Sequence, residues 1–112
     1  MSGRSPRWIS VKTGFTIKTT GTFDATRGYV TIAGTKYTSA AEVQVNAGDE
    51  ISVYVASSNS RYNSYCWVQK DGTQVQNGSG TYTFTAEADA TINMTRNVSG
   101  RYSYYTCTIT TS

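Results

Sequence analysis

The 112-residue sequence predicts an all-β protein, a sandwich or small barrel of short strands. One observation is alternation: residues 81–85, 91–95 and 106–110 place small polar residues, mostly threonine, on one face and apolar residues on the other. Successive side chains of a strand point to opposite faces of a sheet, so this pattern is typical of half-buried strands. A second observation is the regular spacing of turn residues between such segments, which is typical of sandwiches and small barrels.

The predicted strands can be followed from turn to turn. Two short strands, residues 8–12 and 15–19, flank Thr13 and Gly14. Asp71 and Gly72 between two alternating segments predict a tight hairpin, because both residues tolerate the positive φ of such turns. From Gly28 onward the predicted strands cover residues 29–33, 36–38, 42–45, 50–56, 65–70, 73–76, 81–85, 91–96 and 103–111.

The first 27 residues differ from the rest and are predicted to form an N-terminal extension, with the sandwich covering residues 28–112. Their alternation does not continue into a compact hairpin, so we expect them to pair with an edge of the domain or with a neighbouring chain. Four basic residues precede the first acidic one, Asp24. A solvated arm would have the same composition, and stacking aromatics are too scarce there to favour nucleic acid. The predicted assembly contacts are Arg4, Arg7 and Trp8.

Alternation also predicts which residues face the core. Around residue 66 two arrangements stay open: Cys66 and Val68 face inward and leave Trp67 on the surface, or Trp67 is the core anchor. Cys66 and Cys107 are predicted to remain reduced, because no signal-peptide pattern begins the chain and reducing compartments rarely hold disulfides. The predicted inward residues are Val30, Ile32, Val43, Val45, Ile51, Val53, Val55, Val68, Tyr82, Phe84, Ile92, Met94, Cys107 and Ile109.

The residue types argue against an enzyme or a metalloprotein. The chain has no histidine and no pair of closely spaced cysteines, so we expect no metal site and no cofactor. Asp49 and Glu50 are adjacent and would face opposite sides of a strand, where they could not act as an acid–base pair. The sequence contains no run of 18 or more apolar residues, so it predicts no membrane-spanning helix.

Three segments carry a resemblance to a known family: residues 45–51, the hairpin of residues 68–75, and residues 80–85. With these, residues 28–111 resemble an immunoglobulin-like domain of the bacterial and phage type. The resemblance implies an immunoglobulin-like antiparallel β-sandwich. More loosely, the whole chain resembles short proteins of tailed-bacteriophage virions that are rich in Thr, Tyr and Ser. Because Trp67 directly follows Cys66, the Cys–Trp–Cys core of antibody domains is not reproduced.

Two polar segments, residues 57–65 and 97–104, are predicted to be loops that meet at one end of the sandwich. Both are rich in Tyr, Ser, Asn and Arg. Tyrosine supplies rigid contact area and the small polar residues supply adaptable hydrogen bonds, a composition typical of binding loops. Ordinary polar loops whose tyrosines pack locally are the alternative. The predicted binding residues are Arg61, Tyr62, Tyr65, Arg101, Tyr102 and Tyr104.

The resemblance implies a non-enzymatic structural or decoration protein of a phage virion, located on the capsid or tail. Its expected partners are other virion proteins, contacted through the N-terminal extension, and a host-surface glycan, with neither membrane nor nucleic acid involved. The expected location is the virion, after synthesis in the host cytoplasm. The alternative is a carbohydrate-binding module, with Trp67 and the loop tyrosines as stacking platforms, or a bacterial surface adhesin domain.

Overall fold

The structure, a computed structural model, describes residues 14–112, which form ten strands and one short 3₁₀ helix. The predicted contacts Arg4, Arg7 and Trp8 lie outside these residues. The strands are β1 (Gly14–Gly21), β2 (Gly28–Ile32), β3 (Thr35–Tyr37), β4 (Ala41–Asn46), β5 (Glu50–Val55), β6 (Trp67–Lys70), β7 (Thr73–Asn77), β8 (Gly80–Thr85), β9 (Ala90–Val98) and β10 (Arg101–Thr111), and the helix is Ser60–Tyr65.

The strands form two antiparallel sheets packed face to face, which confirms the predicted all-β sandwich. The six-stranded sheet has the order β4-β1-β10-β9-β6-β7, and the four-stranded sheet has the order β3-β2-β5-β8. Chain neighbours β3 and β4 are edge strands on one flank, and chain neighbours β7 and β8 are edge strands on the other. No helix within residues 14–112 has the length and apolar character needed to cross a membrane.

Strand β1 lies inside the six-stranded sheet. It pairs with β4 on one side and with β10 on the other, for example through Ile17 opposite Val43 and Ile109. Phe15 and Ile17 are buried in the core. The prediction that these residues belong to an extension at an edge of the domain is therefore wrong. No hairpin partner follows β1 directly in the sequence, because β1 pairs with β4 and β10, which are distant along the chain. The alternating pattern alone therefore did not show that β1 belongs to the sheet.

The core lies between the inner faces of the two sheets. Cys66 and Val68 are fully buried and face inward, whereas Trp67 is only partly buried and lies on the outer face, which decides between the two arrangements. Twelve of the predicted inward residues are buried, and Val43 and Tyr82 are partly buried against them. Phe15, Ile17, Ala86 and Tyr105 are also in the core and were not predicted.

Both cysteines are buried free thiols, as predicted. Strand β9 lies between β6, which follows Cys66, and β10, which carries Cys107. Two inter-strand spacings of about 4.8 Å exceed the reach of a disulfide between such strands. Burial raises the pKa of the Cys107 thiol to about 12, so this group stays protonated at neutral pH.

Tyr105 anchors the loop between β1 and β2 to the core. Its hydroxyl donates a hydrogen bond to the backbone oxygen of Tyr54, and its ring lies 5.3 Å from the Phe23 ring. A Cβ on Gly28 would lie 2.9 Å from the Tyr105 hydroxyl oxygen, so only glycine fits there. Beside this ring, the buried Arg96 donates to the Thr22 carbonyl and pairs with Asp24 at 3.7 Å. These contacts fix one end of the sandwich, where the tyrosine-rich segments also lie.

Candidate binding surface

The segment of residues 97–104 is a β-hairpin, so its prediction as a loop is wrong. Strand β9 continues to Val98 and β10 begins at Arg101, leaving only Ser99 and Gly100 in the turn. Both turn residues have positive φ, 53° and 86°, as a two-residue hairpin turn requires. Because the strand continues, Tyr102 and Tyr104 lie on the same outer face of the six-stranded sheet.

The segment of residues 57–65 ends in the 3₁₀ helix, which carries Tyr62 and Tyr65. Asn59 caps the helix, since its side chain accepts a hydrogen bond from the Arg61 N–H at 2.9 Å. On the other side, the Asn63 side chain accepts from the backbone of Ser79 at 3.0 Å. These bonds hold the helix in one position despite its short length.

The helix and the hairpin are joined by hydrogen bonds. Ser58 donates its N–H to the Asn97 carbonyl, and its hydroxyl accepts from the Ser99 N–H at 2.9 Å. The Asn97 side chain accepts from the Gly100 N–H at 2.8 Å and so closes the turn from below. The expected meeting of the two tyrosine-rich segments is therefore observed.

Five aromatic rings follow one another across the meeting point, and we call them the aromatic surface: Tyr62, Tyr65, Trp67, Tyr102 and Tyr104. Their neighbouring centroids are 6.0–6.5 Å apart. Tyr102 is the hub, in contact with Tyr65 edge to face, with Trp67 at a tilt and with Tyr104 nearly in parallel at 11°. Edge-to-face and offset stacked rings at such distances attract one another, which pre-organises the surface.

The aromatic surface covers polar residues of β9. Thr95 lies opposite both Trp67 and Tyr104 in the sheet and is 5% exposed, although it belongs to the outer face. Asn97, one step further along the same face, is also buried. Tyr65, Tyr102 and Tyr104 remain 46%, 44% and 60% exposed. The rings therefore shield Thr95 and Asn97 from solvent, while Tyr65, Tyr102 and Tyr104 themselves remain substantially exposed.

A shallow depression of about 240 Å³ lies within this region. Tyr62, Tyr65 and Tyr102 form its aromatic walls, and Asn97 and Gly100 contribute at the hairpin. Its size would accommodate one side chain or one sugar ring.

The two predicted arginines take different places. The Arg61 guanidinium lies 5.7 Å from the centroid of the Tyr62 ring, within cation–π distance, and so belongs to the rim of the aromatic surface. Arg101 starts β10 beside the turn, and its side chain is exposed. Trp67, assigned to a site only in the alternative interpretation, belongs to the aromatic surface through its contact with Tyr102. Its outward position on β6 is the signal that places it there.

A second depression, of about 430 Å³, lies at the far end of the six-stranded sheet and includes Asp71 and Asp89. Asp71 accepts the Thr91 N–H, and Asp89 accepts both the N–H and the hydroxyl of Thr111. The bonds from Thr111 lower the pKa of Asp89. Both carboxylates are thus occupied in fixing chain segments, and no group of three or more potential metal ligands occurs within residues 14–112.

No family model matches the chain, and neither a curated protein nor a solved structure shows significant similarity to it. The function of the protein is therefore inferred from the geometry of the aromatic surface and from the resemblance to immunoglobulin-like domains and phage virion proteins.

Proposed function

We propose that the protein is a non-enzymatic structural or decoration protein of a tailed-phage virion, which binds a neighbouring protein through the aromatic surface. The observation that supports this proposal is the cluster of five touching rings, three of them with nearly half or more of their surface exposed. Aromatic residues and arginine are enriched at the centres of protein interfaces. The family resemblance supplies the virion as the setting.

The aromatic surface is suited to binding because its side chains lose little conformational entropy when a partner binds. Tyrosine and tryptophan have few rotatable bonds, and here mutual contacts among the rings restrict them before any partner arrives. The supporting backbone is a hydrogen-bonded hairpin rather than a free loop. A partner therefore meets an ordered surface, with Arg61 at its rim to contribute a charge-assisted contact.

The test replaces Tyr102 and Tyr104 together by Ser and measures cosedimentation of the purified full chain with virions produced without this protein. We expect binding to weaken at least about tenfold, equivalent to about 1.4 kcal/mol, with thermal stability nearly unchanged. The matched control is the double change Tyr29→Ser and Tyr54→Ser, which removes a stacked pair from the outer face of the other sheet. Equal binding by both double variants would contradict the proposal.

A carbohydrate-binding module is the second candidate, and one observation favours it. The Tyr102 and Tyr104 rings are nearly parallel and both exposed, so they offer adjacent stacking faces along β10. Sugar rings present apolar C–H faces that can pack on such platforms. Retention of the isolated chain on insoluble polysaccharides, lost in the Tyr102/Tyr104 variant, would favour this candidate over virion attachment.

A further inference from the structure

The two flanks of the sandwich differ in how their edge strands are protected. Natural sheets guard exposed edges with charged residues, because unpaired backbone N–H and C=O groups otherwise attract another strand. On one flank, β3 carries Lys36 and β4 carries Glu42, both exposed. On the other flank, neither β7 nor β8 has a charged residue, and residues 72–86 are the longest uncharged stretch of the chain.

Strand β8 is the better template of the two unguarded edges. Its six residues pair with β5 in an uninterrupted register, whereas the pairing of β7 with β6 shifts between Val68 and Gln69. Within residues 14–112 no strand pairs with the outer edge of β8. The interior of β8 has neither proline nor glycine, and its Thr, Tyr and Phe residues favour strands. Half of its backbone hydrogen-bonding groups thus point away from the sheet.

We propose that β8 pairs antiparallel with β8 of a second copy of this chain, so that two four-stranded sheets join into one. The sequence of β8 is complementary to itself when a second copy is turned by a two-fold axis. A two-fold axis through Thr83 places Thr83 opposite itself, Thr81 opposite Thr85, and Tyr82 opposite Phe84 of the second copy. Directly opposite residues share a face, so every threonine pair lies on the outer face and every aromatic pair on the inner face.

Each kind of pair already occurs in this fold. The Thr83 hydroxyl lies 3.1 Å from the Ser52 hydroxyl on the neighbouring strand, and Thr20 and Thr106 form a similar pair at 2.7 Å. Tyr29 and Tyr54 lie directly opposite each other on β2 and β5, and their rings are stacked at 5.0 Å. Tyr82 is only partly buried. A second copy would cover the part of Tyr82 that remains exposed and would add cross-strand aromatic contacts.

Two charged groups lie near this flank, and neither blocks the pairing. The Glu87 carboxylate accepts a hydrogen bond from the Thr85 hydroxyl, but Glu87 itself lies beyond the end of β8. The Lys70 ammonium is 5.6 Å from the centroid of the Phe84 ring. Lys70 is partly buried, so this cation–π contact contributes on the order of 1 kcal/mol, and the flexible lysine can move aside. A strand of a different protein could pair with the same edge. The match of β8 with itself about a two-fold axis is what favours a second copy of this chain as the partner.

The test measures the mass of the full chain by sedimentation velocity from micromolar to millimolar concentration. We expect a dimer that Thr83→Lys weakens at least about tenfold, because two like charges would face each other across the axis. The matched control, Gln44→Lys, puts the same charge on the outer face of edge strand β4 on the opposite flank and should leave the dimer intact. Thermal unfolding of each variant checks that the monomer is folded.

A charge-exchange experiment tests the register itself. Thr83→Glu alone should also weaken the dimer, whereas a mixture of the Thr83→Lys and Thr83→Glu chains should restore it through opposite charges. A wild-type chain that remains monomeric would overturn the proposal, as would dimerisation that is indifferent to both variants or equally sensitive to Gln44→Lys. Failure of the mixture to dimerise would overturn the pairing of Thr83 with itself.

Discussion

Tyr104 and Tyr105 are neighbours on β10, but their side chains lie on opposite faces of the six-stranded sheet. Tyr105 is 1% exposed and holds the loop between β1 and β2, whereas Tyr104 is 60% exposed and belongs to the aromatic surface. The same contrast continues along the strand, where Cys107 and Ile109 face the core and Thr106 and Thr108 face outward. Residue type alone therefore does not tell whether a tyrosine of β10 packs in the core or lies exposed on the aromatic surface, because the face of the strand decides.

The largest expected difference between the two faces is in thiol reactivity. Burial raises the pKa of Cys107 to about 12, so its reactive thiolate is scarce at neutral pH. A Thr106→Cys variant places a thiol on the outer face, where the ordinary pKa of about 8.5 applies. We expect iodoacetamide to alkylate the introduced thiol at least about a thousandfold faster than Cys107, as measured by peptide mass mapping. Comparable rates would mean that the inner face of β10 is open to solvent.

The next contrast concerns the free energy of unfolding. Tyr105→Ala should destabilise the protein by about 3–5 kcal/mol, the range for removing a buried aromatic side chain. The same change at Tyr104 should cost under about 0.5 kcal/mol, as is usual for exposed positions. Urea denaturation of both variants measures the difference. Similar losses at the two positions would show that the aromatic surface is part of the core and would weaken its assignment as a binding site.

A smaller effect is expected at Asp24, beside the buried face of Tyr105. Hydrogen bonds from the Thr26 backbone and hydroxyl are the main causes that lower the pKa of this carboxyl, and the Arg27 N–H and Arg96 add to them. A lowered folded-state pKa means that ionised Asp24 stabilises the fold above its unfolded pKa of about 3.9. This stabilisation is lost as the pH falls below that value towards the folded pKa.

Asp24→Asn should therefore reduce stability at neutral pH and make thermal stability less dependent on pH in the acid range. Thermal melts at a series of acid and neutral pH values measure both effects. Asp89, whose pKa is also lowered, should retain part of the acid dependence in the variant. An unchanged pH profile would mean that the contacts among Asp24, Thr26 and Arg96 contribute nothing to stability.

Local sequence patterns were sufficient to predict most of the strands and most of the core. Alternation located β8, β9 and β10 and identified Phe84, Met94 and Ile109 as inward residues, because a half-buried strand must alternate to bury one face. The Tyr-rich composition of residues 57–65 and 97–104 singled out tyrosines whose rings are neighbours in the structure. These features are local, since each depends on neighbouring residues and on the geometry of a single strand.

Long-range contacts set the place of β1, the length of the β9–β10 hairpin and the side on which Trp67 lies. Strand β1 is an interior strand because β4 and β10 both pair with it, and such long-range pairing leaves no local mark in the sequence. The polar residues of the hairpin resemble a loop, but Thr95 and Asn97 are covered by rings from β6, β10 and the 3₁₀ helix. Contacts between distant segments, which alternation does not encode, assemble the aromatic surface and leave the edge of β8 unguarded.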